Sequence, residues 1–318
     1  MFDITAIGEV LIDFLSLERS DNNKLFFEGN PGGAPANVMA CISKFGGKTN
    51  FIGKVGNDIF GEYLKKFLKD KKINVESLSI SNDVNTTLAF VKLDNSGDRK
   101  FSFYRNPGAD TQLSVDDINF NSILNSKIIH FGSLSLTNEP SKTTTIEVLK
   151  YSKKKNKIIS FDPNYRDSLW SGEKQAVDMI KNGMYYADIV KMSEEELFLL
   201  TNENNIEKGI RLIKNNFDLN IILITLGSKG CYYCFKNFIG KVNPVNAQTI
   251  DTTGAGDIFF GSFLYYLINK LNVDIVNLTK ENIYNMVLFA NTAAAVSTEK
   301  KGAISSIPEL EDVCKRIQ

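Results

Sequence analysis

Apolar and polar positions along this chain fall into blocks of two kinds. Short runs rich in Ile, Val and Phe at Ile4–Ile7, Phe51–Val55, Ile128–Phe131, Ile158–Phe161, Ile189–Met192 and Ile221–Leu226 read as β-strands. The stretches between them carry helical spacing: Ala36–Phe45, Gly61–Lys71, Lys142–Lys155, Glu173–Asn182, Glu194–Thr201, Ile206–Asn215, Gly254–Asn269 and Lys280–Thr298. Strand and helix in turn predict a mostly parallel sheet covered on both faces. Sheets of that kind bind ligands at the carboxyl ends of their strands. No internal repeat, low-complexity tract or long linker breaks the series.

Two stretches depart from the alternation. Val10–Leu17 runs towards a second short strand at Lys24–Glu28. Thr87–Leu93 and Lys100–Arg105 flank Asn95-Ser96-Gly97-Asp98, a hairpin turn by composition. Hairpins make antiparallel pairs, which a parallel sheet does not readily absorb. The extra strands therefore predict a small β-layer standing off the main body, inserted at about 9–30 and 86–107.

The 318 residues suit one large α/β domain or two small ones, and 43% hydrophobic residues supply a sizeable core. Lys+Arg and Asp+Glu balance at 37 each, so no charge excess favours nucleic acid or an anionic membrane as a partner. No cationic, apolar secretory signal opens the chain, and runs such as Ile221–Leu226 are far too short to span a bilayer. Four thinly spread cysteines, Cys41, Cys231, Cys234 and Cys314, predict a cytoplasmic chain with reduced thiols. Cys231 and Cys234 have the spacing of half a zinc site or a redox pair, but no second such pair follows. Cys231–Phe235 reads as a strand, which points the two thiols to opposite faces. The single histidine argues against Ser-His-Asp and multi-histidine metal chemistry; His130 closes an apolar strand and reads as a buried structural residue.

The most informative chemistry lies in Asp251-Thr252-Thr253-Gly254-Ala255-Gly256-Asp257, followed by Ile258-Phe259-Phe260. Three small residues stand where an amphipathic helix should begin. A helix start leaves N–H groups unpartnered and favours negative charge, so Gly254, Ala255 and Gly256 offer a phosphate a bare cradle. Asp257 has two readings: a helix-start carboxylate favoured by the dipole, or a base that takes a proton from a hydroxyl attacking the phosphate. Rival nucleotide folds fail on spacing. Gly47-Lys48-Thr49 imitates the end of a P-loop, but Ile42 occupies its first-glycine position. Gly254-Ala255-Gly256 has Phe259 where a dinucleotide-binding turn needs its third glycine.

Asp251–Asp257 resembles the C-terminal signature of the ribokinase-like (PfkB) carbohydrate kinases, and Gly32-Gly33-Ala34-Pro35-Ala36-Asn37-Val38 resembles their N-terminal Gly-Gly signature. Phe51–Asp58, Phe103–Pro107, Phe161–Trp170 and Val190–Leu197 follow in the family's order, so the resemblance spans roughly the whole chain. The wording of the blocks is nearest to fructokinases. The 2-keto-3-deoxygluconate kinases share Asp162-x-Asn164-x-Arg166-x-x-Leu169-Trp170, and a non-catalytic sugar-binding relative is the alternative from another class. The resemblance implies a single ribokinase-like α/β/α domain over 1–318, with a mostly parallel central sheet and a small β-sheet lid. It also implies an ATP-dependent sugar kinase that uses Mg²⁺, with K⁺ as a further ion, and a homodimer joined through the lid.

Each residue carried over from that resemblance also has a plainer reading. Asp13 is a charge inside the apolar run Val10–Leu15, which needs either an ion-pair partner or sugar hydroxyls. Gly32 and Gly33 let backbone approach a ligand and also make a turn into a helix; Asn37 can both donate to and accept from a hydroxyl. Arg105 and Arg166 are guanidiniums in aromatic contexts, which the resemblance puts on the lid near the sugar and, with Asn164, near the transferred phosphate. Asp162-Pro163-Asn164 also reads as a simple turn. Ser193 and Glu196 make a capping box, and the resemblance ties them to the magnesium and phosphate network. It places Lys191 and the turn Thr225, Gly227 and Gly230 on the ATP side, although a bare hairpin explains the same turn. Gly302 and Ser306, with Asp251 and Thr253, resemble the loop that holds a monovalent cation in relatives.

Overall fold

Successive residues of a strand face opposite ways, and the apolar strands here are buried on both sides. In β1 (Phe2–Ile7), Ile4 and Ala6 enter one apolar cluster and Ile7 another. In β11 (Ile221–Thr225), Ile221 and Leu223 join the first cluster while Ile222 and Ile224 join the second. The computed structural model describes residues 1–17, 24–93, 99–272 and 275–317.

The remaining strands are β2 (Leu11–Leu17), β3 (Phe26–Gly32), β4 (Thr49–Gly56), β5 (Leu78–Ser81), β6 (Leu88–Leu93), β7 (Arg99–Tyr104), β8 (Ser126–Gly132), β9 (Ile158–Asp162), β10 (Ile189–Ser193), β12 (Cys231–Phe235) and β13 (Phe238–Val242). Nine of the thirteen described strands form one sheet in the order β13-β12-β11-β10-β9-β8-β1-β4-β5. It is parallel from β11 to β5, and β12 and β13 add an antiparallel edge. On one face lie α1 (Ala34–Lys44), α2 (Ile59–Asp70), α8 (Ala255–Lys270), α9 (Lys280–Ser297) and α10 (Leu310–Ile317). On the other lie α3 (Phe120–Leu124), α4 (Ser141–Lys154), α5 (Glu173–Met184), α6 (Glu194–Thr201) and α7 (Ile206–Asn216). The three layers are those expected from the alternation. No helix among the described residues is long and apolar enough to cross a membrane.

The departures from the alternation form a second sheet of four strands, β3-β2-β6-β7. Its two hairpin pairs are antiparallel, and β2 and β6 join them in parallel. The turn Asn95–Asp98 lies outside the described residues. β3 runs past the expected end at Glu28: Gly32, read with Gly33 as a turn into a helix, is instead the last residue of the strand. Pro31 is accommodated because β3 is an edge strand. Gly32 is therefore a strand residue opposite Leu11, and Asn30 stands opposite Asp13. Phe14 stacks on Phe90 at 5.1 Å and meets Phe60 of α2 edge-on at 5.7 Å, which fastens the small sheet to the body. Asp58 makes a second joint: it caps α2 through Phe60 and Gly61 and also accepts from the amide and hydroxyl of Thr86.

The two thiols of Cys231 and Cys234 enter opposite apolar clusters and are unpaired, as the strand reading requires. His130 is buried, contacts Ser160 Oγ at 3.1 Å and meets Phe260 edge-on. Burial holds its pKa down at about 3, so the ring is neutral.

Candidate active site

The start of α8 lies at the carboxyl edge of the parallel sheet. Gly254 precedes it with φ 74°, a left-handed backbone that glycine adopts freely, and a Cβ there would lie 2.6 Å from Ala303 Cβ. The Ala255 amide donates to Thr252 O at 3.2 Å, while the amides of Gly254, Gly256 and Asp257 have no acceptor among the described residues. Of the Gly254–Gly256 amides expected from sequence to form a cradle, the middle one is engaged by the turn before the helix.

Asp257 is 7% exposed. Its Oδ2 accepts from Asn37 Nδ2 at 2.7 Å and its Oδ1 from Asn164 Nδ2 at 3.3 Å. α1 and the segment after β9 therefore meet at one carboxylate. Burial raises its pKa above the ordinary aspartate value, against the pull of Lys191, Asn37 and Arg166. Asn37 Oδ1 is buried without a partner.

Lys191 projects from β10 to the same place, and a Cβ on Gly256 would lie 3.0 Å from its Nζ. The ammonium donates to Asp162 Oδ2 at 2.9 Å, with both side chains almost wholly buried. Burial works against the Lys191 charge, yet Asp162, Glu196 and Asp257 together raise its pKa. Burial lifts Asp162 to about 7 against the pull of Lys191. Asp162 also accepts from the Asn164 amide through Oδ1, so it orients the residue that reaches Asp257. In the sequence Asp162 follows a strand end, where sites of such sheets form, or belongs to a simple turn, and no separate role is assigned to it. The available signal was a carboxylate closing the apolar run Ile158–Phe161.

Ser193 and Glu196 form the expected capping box of α6. Glu196 Oε2 takes the Ser193 amide and Oε1 takes the Tyr165 amide, each at 2.7 Å. Both carboxylate oxygens are engaged, so Glu196 holds the Asn164–Arg166 segment in place. Arg166 is half-buried and donates to Tyr165 O at 2.9 Å.

On the lid side, Asp13 is half-buried on β2, and its carboxylate fills the space that a side chain at Gly32 would need. Gly33 has φ 106° and ends the lid excursion at α1. Glu9, absent from the sequence reading, is 2% exposed beside it and accepts from the Ala34 amide at 3.1 Å. Burial raises its pKa to about 7, and Asp110 pushes the same way while Arg105 opposes. Arg105 differs from its expected place facing sugar. Its guanidinium is buried, paired with Asp110, and donates to Thr137 Oγ1 and Leu134 O. Asp110 in turn accepts from Thr87, next to β6, so Arg105 joins the small sheet to the body.

The expected cation loop lies under the cradle. Asp251 accepts from the amide and hydroxyl of Thr253 and from the Gly302 amide, and Ser306 Oγ donates to Ala303 O. Gly302 has φ 86° and precedes the Ala303 that packs on Gly254. Thr225 ends β11 and donates to Met192 O at 3.4 Å. Gly227 and Gly230 have φ 56° and 91°, and they close the β11–β12 hairpin. The structure thus brings Asp257, Asn37, Asn164, Asp162 and Lys191 into one contiguous group, with Thr225 reaching the neighbouring strand.

A bare helix start with a buried carboxylate and ammonium beside it, at the strand ends of a covered parallel sheet, is the layout of a small-molecule phosphotransferase. The chain belongs to the pfkB family of carbohydrate kinases, whose family model matches residues 1–310. It is 38% identical to "Probable fructokinase-4" of Arabidopsis thaliana over 313 residues, covering 98% of this chain and 95% of that protein. Among solved structures it resembles the fructokinase with bound ATP from Xylella fastidiosa, at TM-score 0.91 and 29% identity over 100% of this chain and 99% of that one. It also resembles a fructokinase double mutant from Vibrio cholerae O395 in a form with bound fructose, ADP and potassium ion, at TM-score 0.88 and 31% identity over 100% and 99%. The fold is ribokinase-like, and the chain is an ATP-dependent sugar phosphotransferase.

Proposed function

We propose that this chain is a fructokinase, which transfers the γ-phosphoryl group of ATP to the 6-hydroxyl of D-fructose to give fructose 6-phosphate and ADP. The observation that carries the reading is the buried Asp257 carboxylate in the first turn of α8, held by Asn37 and Asn164 beside the bare Gly256. In this step the sugar oxygen attacks the γ-phosphorus, the bond to the β,γ-bridging oxygen breaks, and the hydroxyl proton passes to Asp257. The raised pKa of Asp257 suits a group that must accept that proton. The amides of Gly254, Gly256 and Asp257 and the Lys191 ammonium stabilise charge on the phosphoryl oxygens. Asp13, Gly32, Gly33 and Asn37 take the sugar, and Asn164 and Arg166 border the transferred group. Lys191, Ser193, Glu196, Thr225, Gly227 and Gly230 make the nucleotide side, Ser193 and Glu196 by holding backbone. Arg105 acts through the lid joint.

The whole chain works as one kinase domain with the four-stranded sheet as its lid. Exposed Phe27 and Tyr104 on the lid support pairing with a second copy there, and four unpaired thiols suit the reducing cytoplasm. No group of three or more His, Cys, Asp or Glu side chains among the described residues makes a metal cage. Asp162 and Glu196 are already engaged by Lys191 and by backbone amides. That donor set fits a Mg²⁺ that arrives on the ATP phosphates and keeps its waters. When bound, such an ion supplies charge neutralisation on the transferring group.

K⁺ at the 302–306 loop is expected to raise turnover without touching substrate, by fixing the backbone behind Gly254. Rates measured at fixed Mg²⁺ and ionic strength, in potassium and in a bulky organic cation, check this; equal rates count against it. The sugar assignment is tested by an ATP-coupled assay over fructose, 2-keto-3-deoxygluconate, ribose, tagatose and nucleosides. Fructose is expected to give the highest kcat/KM. Of the two cations that an acid sugar could use, Arg105 and Arg166, the first is occupied by Asp110. A higher kcat/KM for 2-keto-3-deoxygluconate overturns the assignment.

A further inference from the structure

α1 lacks what a helix start usually has. Its N-cap, Gly33, brings no side-chain hydrogen bond, and its first turn holds no acidic residue. The missing acceptor comes from a different element. Glu9, just beyond β1, puts Oε1 on the amide of Ala34, the first residue of the helix. The approach depends on Gly33, where a Cβ would sit 2.5 Å from Glu9 O. One turn further along α1, Asn37 donates to Asp257 at 2.7 Å. Glu9 Oε2 has no hydrogen-bond partner, and Oε1 is taken by the amide at the helix start. Asn37 projects from that same first turn of α1.

We propose that Glu9 is a positioning residue for phosphoryl transfer: it caps α1 from the end of β1 and thereby sets the hydrogen bond from Asn37 to the Asp257 carboxylate. The inference rests on Asp257 as the base. It concerns kcat, since Glu9 works through Ala34 and Asn37 and touches neither substrate.

The experiment is a double-mutant cycle on the full-length protein, with fructose and ATP as substrates and thermal melting as a folding control. Glu9→Leu is expected to lower kcat on the order of tenfold to a hundredfold, the usual effect of a displaced reacting group, with KM for ATP unchanged. Glu9→Gln is expected to stay within about threefold of wild type, because its amide oxygen can accept the same bond. In an Asn37→Ala background, Glu9→Leu is expected to change kcat by less than about twofold, since the residue it acts through is gone. Ala34→Pro removes the donor and leaves Glu9 in place, at a helix position that tolerates proline. It is expected to lower kcat as Glu9→Leu does, and it keeps the test open if Glu9→Leu does not fold. Wild-type protein that transfers no phosphate defeats the kinase reading itself. Active wild type with independent losses from Glu9→Leu and Asn37→Ala, or Glu9→Gln as impaired as Glu9→Leu, overturns the role of Glu9.

Discussion

Asp257→Asn lowers kcat for fructose phosphorylation by roughly 10²–10⁴, the usual worth of a positioned base. The swap keeps size and one oxygen for the incoming donors, but it removes the lone pair that takes the proton. Asn37 and Asn164 both donate to this carboxylate, so the amide turns its nitrogen towards one of them, and that hydrogen bond is lost where Asn37 keeps its present orientation. That loss costs about 1 kcal/mol of stability, which leaves the protein folded. Fructose binding changes much less than kcat, because the interaction strengthens as the proton moves. ATP binds slightly tighter once a negative charge beside its phosphates is gone. A carboxylate serving only the helix dipole gives the opposite pattern, with about 1 kcal/mol or less of stability lost and turnover kept. Rapid-quench single-turnover rates and melting curves on the same samples separate the two.

Lys191→Met has the largest expected effect on stability. It strands Asp162, which is 1% exposed and paired with the Lys191 ammonium at 2.9 Å. Removing one partner of a buried pair costs about 3–5 kcal/mol, because the carboxyl left behind has neither solvent nor counter-charge and must take up a proton. Adding Asp162→Asn recovers most of that loss: the side-chain oxygen still accepts from the Asn164 amide, and no charge is left behind. Turnover does not return with the fold. The ammonium beside Gly256 is gone, and kcat stays down on the order of 10²–10³, as for loss of one charge-stabilising donor. Urea denaturation of both variants and kcat of the double variant check this. A stable double variant with wild-type turnover shows Lys191 to be a structural counter-ion alone.

What the sequence makes legible depends on how locally each feature is specified. The layers were readable because helical and strand spacing alternate cleanly, and the small sheet because its strands interrupt that spacing. The start of α8 was readable because small residues, a carboxylate and an apolar run stand side by side in Gly254–Phe260. The end of β3 was not, since Gly32 and Gly33 look like a turn into a helix until the edge position of the strand is known. Partnerships were hidden wherever they join distant segments. Asn37 and Asp257 lie 220 positions apart, and neither residue alone announces the other. Arg105 reads as a free cation because nothing nearby marks Asp110 and Leu134 as its partners. Glu9 is one residue beyond Gly8 with no motif around it, and only the fold brings it to the start of α1.

The measurement that bears most directly on the account is the product formed in a single run with wild type and Asp257→Asn. Protein in excess over ATP, with Mg²⁺ and fructose present, is quenched over time, and sugar phosphate and ADP are quantified together. The wild-type protein is expected to give one fructose 6-phosphate for each ADP, and Asp257→Asn the same product at a rate lower by roughly 10²–10⁴. ADP without fructose 6-phosphate from the wild type, or transfer by folded Asp257→Asn within about tenfold of the wild-type rate, contradicts this.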